Sequence, residues 1–142
     1  MYRVEFENVK PSEEQIEKLF ELLEGRLHRI SYKETSYREH EDFVKSHPYR
    51  DWFLIKVSGN YVGSFYVSKE NTIGINVSDE HTYFVVSPII NFVNKNYKPL
   101  PLIPSVRGDR FAINIPPSST HLARALEAID AKIAQVTYFL PS

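Results

Sequence analysis

The spacing of apolar residues changes several times along this chain, and each change marks an element. Tyr2 to Phe6 alternates with charged residues, the period-two pattern of a strand. The period then lengthens. Ile16, Leu19, Phe20 and Leu23 fall on one face of a helix. Pro11-Ser12 opens that helix, Ser12 and Gln15 have capping-box spacing, and Gly25 supplies a stop. Ser36 and Glu39 repeat the capping-box spacing ahead of a helix predicted to run to about Ser46, with His40, Phe43 and Val44 on one side. Pro48 closes it, because the residue before a proline avoids the helical region.

Three strands follow. Trp52 to Val57 is β-branched and aromatic, Ser58-Gly59-Asn60 turns, Tyr61 to Val67 returns, Lys69-Glu70-Asn71 turns again, and Thr72 to Val77 completes a meander of antiparallel hairpins. The pattern assigns no element to Ser78 to Val86. Ser87-Pro88 reads as a cap followed by proline in the first helical turn, opening a helix to about Asn96. A loop with Pro99, Pro101 and Pro104 leads to a strand over Arg110 to Ile115. Ser118 or Ser119 caps a last helix carrying Leu122, Leu126 and Ile129, and Ile133 to Leu140 reads as a terminal strand. The expected order is β-α-α-β-β-β-α-β-α-β, an α/β (α+β) chain with a mixed sheet.

Composition narrows the chemistry. The 142 residues suit one domain. A net charge of -1 gives no basic excess for a duplex, so nucleic acid is not the default partner. With no cysteine, disulfides, thiolate catalysis and cysteine-based zinc sites are excluded. His28, His40 and His47 have no metal-ligand spacing, so no metal is expected. The N-terminus lacks a signal-peptide pattern and no apolar run approaches membrane-spanning length, so the expected setting is cytoplasmic and off the membrane.

Particular segments carry a resemblance. Ser46-His47-Pro48-Tyr49-Arg50 before Trp52-Phe53-Leu54-Ile55, then Val62-Gly63-Ser64-Phe65-Tyr66-Val67, Asn71-Thr72-Ile73-Gly74-Ile75-Asn76-Val77, Ala112-Ile113-Asn114-Ile115-Pro116 and Gln135-Val136-Thr137-Tyr138 stand in the order of the GNAT acyl-CoA N-acyltransferases. The chain resembles that family over nearly its whole length. The resemblance implies one domain over residues 1–142. It also implies acetyl-CoA or another acyl-CoA as co-substrate, and a small-molecule amine as acceptor. Ile75, Asn76 and Val77 are implied to lie beside the cofactor arm, with Asn114 and Ser119 on the cofactor side. His81 reads either as a base or as a solvated loop histidine, and Tyr138 either as the acid at the leaving thiolate or as a core tyrosine.

One stretch departs from the family. Its pyrophosphate loop carries glycines, whereas Asp79-Glu80-His81-Thr82-Tyr83-Phe84-Val85-Val86-Ser87 has none and begins with two acids. A milder departure is Asp130-Ala131, where the family tends to have Gly-Phe. Two functional readings therefore stand: an N-acyltransferase with an atypical pyrophosphate contact, or a GNAT-derived binding module without transfer activity. A further expectation is a homodimer in which Tyr83-Phe84-Val85-Val86 extends the sheet. Glu39-His40-Glu41-Asp42 reads either as an acceptor-pocket wall or as a solvated helix face. Tyr32, Tyr37, Tyr49, Trp52 and Tyr61 suit a sugar pocket or a core edge.

Overall fold

The computed structural model describes residues 3–24 and 36–142. Tyr2, Gly25, His28 and Tyr32 lie outside the described residues. The chain runs β1 (Val4–Asn8), α1 (Glu13–Glu24), α2 (Tyr37–Lys45), β2 (Asp51–Val57), β3 (Asn60–Val67), β4 (Ile73–Val77), a 3-10 turn (Asp79–His81), α3 (Thr82–Asn96) and α4 (Thr120–Ala128).

Both predicted capping boxes start their helices. Ser12 Oγ accepts from the Gln15 N–H at 3.3 Å, and Ser36 Oγ accepts from the Glu39 N–H at 3.2 Å. Gln15 does more than its half of a box: its carbonyl accepts from the Lys10 N–H, and its amide donates to Glu7 and to the Asn8 carbonyl. It thus ties α1 to the end of β1.

The strands form one antiparallel sheet in the order β1-β2-β3-β4. Alternation along β2 sends Phe53, Ile55 and Val57 to one face and Trp52 and Leu54 to the other. The first set joins Phe65, Val67 and Ile73 against Val85, Ile89 and Val93 of α3. The second packs against Ile16 and Leu19 of α1 and Val44 of α2. The sheet is therefore a middle layer with helices on both faces, which explains why β2 is apolar on both sides. Helix α4 closes a third cluster, in which Leu122 and Ala125 meet Val86 of α3. No helix among the described residues is long and apolar enough to cross a membrane.

Two glycines lock the sheet. A Cβ on Gly63 would stand 2.2 Å from the Asn76 carbonyl oxygen, so only glycine permits β3 and β4 to approach this closely. A Cβ on Gly74 would stand 2.1 Å from the Tyr66 ring, which lies over it from the directly opposed position. The ring covers the bare glycine and stacks on Tyr49 at 3.8 Å.

Four expectations are corrected. Helix α3 begins at Thr82, not beyond Ser87, and carries Pro88 inside it. Burial of Val85, Val86, Ile89 and Val93 outweighs the donor that proline lacks. It follows that Tyr83-Phe84-Val85-Val86 is helix and cannot extend the sheet. The strand expected over 110–115 is reduced to one parallel bridge, Thr72 to Ala112. The terminal strand expected over 133–140 has no pairing among the described residues, and its residues are exposed. Strand-like sequence does not make a strand without an edge to pair with.

Candidate cofactor cleft

The open edge of β4 defines the site. The Ile73 N–H donates to the Ala112 carbonyl at 2.8 Å, away from β3, while the Thr72 carbonyl accepts from the Ser68 N–H at 2.9 Å, toward β3. Edge groups alternate along a strand. Ile75 and Val77 therefore turn their N–H and C=O outward with Ile73, and Gly74 and Asn76 pair with Tyr66 and Ser64 of β3. Pairing with 110–115 ends at Ile73, so the backbone of Ile75 and Val77 faces a slot. Phe111, Ile113 and Ile115 line its far side, packed on the same apolar clusters as Ile75.

The slot leads to the start of α3. There the Ser78 carbonyl accepts from the His81 N–H at 3.0 Å and from Thr82 Oγ1 at 3.1 Å, so the 3-10 turn passes straight into the helix. No residue from 72 to 104 has positive φ. The backbone here makes no use of the conformation that only glycine adopts freely, which accounts for aromatic and β-branched residues at Tyr83 and Val85. Helix α4 begins beside α3, since Leu122 and Ala125 meet Val86. Two helix N-termini thus converge at the slot mouth, a setting that favours an anion. Asp79 and Glu80 oppose it. His121, in the first turn of α4, stands 3.5 Å from Asp79 through an occluded Nδ1 that makes no hydrogen bond among the described residues. Its role was not legible from the chain, because only the packing of α4 on α3 brings it to Asp79.

Backbone groups of Ile75 and Val77 face the slot; those of Asn76 belong to the β3 ladder. Asn114 is exposed on the segment forming the far wall, and buried Ser119 is the N-cap of α4, with no side-chain capping bond. His81 lies at the slot mouth as the N-cap of α3, its Nδ1 2.7 Å from Ser78 Oγ and 3.7 Å from Glu80. Tyr138 is not brought to the others within the chain; it stands beyond α4 and is 84% exposed.

The opposite sheet face carries Tyr66, Tyr49, Trp52 and His47. Trp52 meets Tyr49 edge to face at 5.3 Å, and the His47 ring lies along Tyr49 at 5.5 Å. Burial holds the His47 imidazole below its ordinary pKa. Trp52 Nε1 is buried and has no hydrogen-bond partner among the described residues. Of the cluster on α2, Glu39 and Asp42 are exposed, while His40 turns inward, 5% exposed, with Nε2 3.2 Å from the Ile16 carbonyl. Burial depresses the His40 pKa and the Ile16 carbonyl partly offsets it.

In the sequence Asn71 stands as a turn residue and as the first residue of a resembling segment, with no role of its own. It is 1% exposed with φ of 62°, donates to the Leu100 and Gly108 carbonyls, and accepts from the Leu100 N–H, each at 2.8 Å. This one side chain fixes both ends of the proline loop that delivers 110–115 to β4. Tyr97 anchors the start of the loop by donating to Asp51; burial, with that carboxylate beside it, drives the phenol well above its ordinary pKa.

A sheet between α1/α2 and α3, an open β4 edge and a helix start at its end define a GNAT-type acetyltransferase fold. Solved structures share it at low sequence identity. AAC(6')-Iy, in complex with the bisubstrate analog CoA-S-monomethyl-acetylneamine, matches with a TM-score of 0.62 and 11% identity over 99% of this chain and 98% of that one. The aminoglycoside acetyltransferase meta-AAC0020 from an uncultured soil metagenomic sample, in complex with sisomicin, gives 0.58 and 10% over 98% and 95%. A possible acetyltransferase from Clostridium difficile 630 gives 0.55 and 10% over 98% and 97%. No family model and no curated protein sequence matches the chain.

Proposed function

We propose that this chain is an acyl-CoA-dependent N-acyltransferase that moves an acetyl group from acetyl-CoA to an amine of a small molecule. The slot beside β4 carries the reading. Outward N–H and C=O groups of Ile75 and Val77 offer an amide-bearing arm the bonds a neighbouring strand would make. Apolar Phe111, Ile113 and Ile115 shield the far side from water. The converging starts of α3 and α4 then meet the pyrophosphate, and Asn114 and Ser119 stand on the wall beside it. Here the fit is poorer, since the carboxylates of Asp79 and Glu80 sit where the phosphates would lie.

The thioester supplies an activated acetyl group. The amine nitrogen bonds to its carbonyl carbon, the C–S bond breaks, and the thiolate leaves. The chain's part is to align the two reactants and to accept the amine proton. Under this reading His81 accepts that proton through Nε2, with Nδ1 oriented by Ser78, and Tyr138 protonates the leaving thiolate. The aromatic face around Tyr49, Trp52 and Tyr66 is the side for the acceptor.

Isothermal titration with acetyl-CoA and with CoA tests the reading. Micromolar binding of both supports it, and a screen of amine acceptors, aminoglycosides included, follows. No binding at millimolar cofactor overturns it. That outcome leaves the second reading, a binding module without transfer activity, which the acids at the helix start favour.

A further inference from the structure

The proline-rich stretch between α3 and residues 110–115 is built as a hairpin. Ile103 and Arg107 exchange backbone hydrogen bonds at 3.1 and 3.0 Å, and the Ile103 carbonyl also accepts from the Val106 N–H at 3.0 Å. Ile103-Pro104-Ser105-Val106 is thus a hydrogen-bonded turn. Proline stands in its second place and Ser105, at φ of 64°, in its third, the type II pattern. Proline sets its own φ in advance, so the tip holds its shape at a small cost in entropy. The base is strapped twice. Asn71 holds Leu100 and Gly108, and the Arg107 guanidinium donates to the Pro101 carbonyl at 2.7 Å and to the Lys69 carbonyl at 3.1 Å.

This hairpin presents apolar side chains to solvent. Leu102, Ile103 and Val106 are 57%, 41% and 61% exposed, and none joins an apolar cluster of the described residues. Its backbone is also poor in unpaired donors. Pro101 and Pro104 have no N–H, and the N–H groups of Ile103, Val106 and Arg107 are bonded within the hairpin. Taking the tip out of water therefore forfeits little backbone hydration. Cations flank it. Lys69, Lys98 and Arg110 are exposed and Arg107 lies in the strap, against the acids Glu70 and Asp109. This local basic excess belongs to a chain whose net charge is -1.

The size of the tip selects its partner. Three aliphatic side chains offer a few hundred Å² at most, whereas a stable protein interface takes about 800 Å² from each side. Binding at a bilayer surface instead sums buried apolar area and attraction to anionic lipids, so a small apolar tip backed by cations suffices. We propose that the hairpin over 101–107 docks this chain on an anionic lipid surface. Leu102, Ile103 and Val106 enter the boundary between headgroups and acyl chains, and the flanking cations meet the lipid anions. A tip this short does not span a bilayer. Asn71, which straps the hairpin, precedes β4, whereas Ser78 leads to the slot mouth from the other end of that strand, so docking leaves the mouth in water. The proposal does not depend on the slot accepting a thioester.

Sedimentation with vesicles tests the proposal on the full chain. One set is phosphatidylcholine alone; the other is equal parts phosphatidylcholine and phosphatidylserine. The parent is expected to sediment with the mixed set at low salt, to stay in solution with the first, and to be released as salt rises. The double variant Leu102→Ser/Val106→Ser alters exposed positions only, so its far-ultraviolet spectrum should match the parent's. Its partitioning onto mixed vesicles should fall at least about tenfold. Lys98→Gln/Arg110→Gln should weaken partitioning too and flatten its salt dependence. A parent that ignores both vesicle sets overturns the proposal, and so does binding that Leu102→Ser/Val106→Ser leaves unchanged. Acyl-brominated lipids report depth. The chain's one tryptophan, Trp52, is buried, so the parent's emission should be unaffected by them, while Leu102→Trp should add emission that they quench. A vesicle-bound Leu102→Trp chain without quenching overturns insertion of the tip. A mass by light scattering that drops in Leu102→Ser/Val106→Ser, with no vesicle binding by the parent, makes the tip a contact between protein copies and overturns the lipid assignment.

Discussion

The β2–β4 meander and the stretch from residue 110 to the C-terminus are both rich in β-branched and aromatic residues, yet only the meander forms strands within the chain. In the meander each strand meets its neighbour through a two- to five-residue turn, and side chains interlock across the join: Tyr66 over Gly74, Gly63 against the Asn76 carbonyl. In the later stretch, residues 110–115 pair at one bridge beside β4, Thr72 to Ala112, and among the described residues 132–142 make no backbone pairing. Strand propensity records a fit to a half-buried pleated surface rather than a backbone preference. A strand needs an edge, and the edge is a tertiary fact. The open edge of β4 that results is what makes the candidate cleft.

The sharpest way to break this contrast is at Gly63. Gly63→Ala should destabilise by about 3 kcal/mol, because its new methyl meets backbone that cannot yield without parting β3 from β4. Gly74→Ala should cost less, since it meets the end of the Tyr66 ring, and Tyr66→Ala in the same chain should recover part of the loss. Denaturant melts of the four proteins check both points; equal costs at Gly63 and Gly74 would remove the distinction between backbone and side-chain obstruction.

The junction between the two regions rests on Asn71. Asn71→Ala should cost about 2 kcal/mol, from the lost bonds to Leu100 and Gly108 and the left-handed backbone. Asn71→Gly keeps the backbone freedom but not the bonds, so it should recover only a fraction. Faster amide exchange in the proline loop is the accompanying signature.

At the slot mouth, Asp79→Asn with Glu80→Gln should tighten acetyl-CoA binding several-fold, since each acid at a helix start facing a pyrophosphate opposes it by about 0.3–1 kcal/mol. The gain should shrink with added salt. Unchanged or weaker binding in titration would show that the acids do not face the phosphates.

Asp130, just past α4, has φ of 65°. Asp130→Gly should stabilise the chain by about 0.5–1 kcal/mol, because glycine adopts the left-handed position without the strain that aspartate carries. The comparison with Asp130→Ala, which should destabilise, isolates the backbone effect.

The smallest effect concerns pH. His40 is held below its ordinary pKa by burial, whereas in the unfolded chain it titrates near 6.5. Its contribution is therefore fully present above about 6.5 and is lost as pH falls through the lower folded value, because the unfolded chain then binds the extra proton. His47, also depressed by burial, adds to the same slope. Glu7, held low chiefly by its hydrogen bond from Gln15, adds a separate loss in the carboxylate range. His40→Gln should reduce the slope of melting temperature just below about 6.5 and leave the acidic limb in place. An unaltered slope would assign it to other groups.

Much of the fold was legible because the informative interactions are local. The capping boxes at Ser12 and Ser36, the helical faces behind them and the turns of the meander depend on residues a few positions apart, and they appear where the sequence puts them. The start of α3 was not legible, because Pro88 signals a first turn and only the burial of Val85 and Val86 pulls the helix back to Thr82. The site was legible in part. Ile75 and Val77 fall on the strand beside the slot, but which of three successive residues turns its backbone outward depends on the register with β3 and on the single bridge at Ala112.

By itself the sequence determined the caps at Ser12 and Ser36, the helical faces behind them, the turns of the meander and the absence of any thiol chemistry. The tertiary structure alone decided which strand-like segments find a partner, where β4 stays open, and that His121 reaches Asp79 while His40 turns into the core. Local interactions are encoded in nearby residues and survive any arrangement of the rest. An edge, a slot or a close approach of two helix starts exists only once segments far apart in the chain have packed.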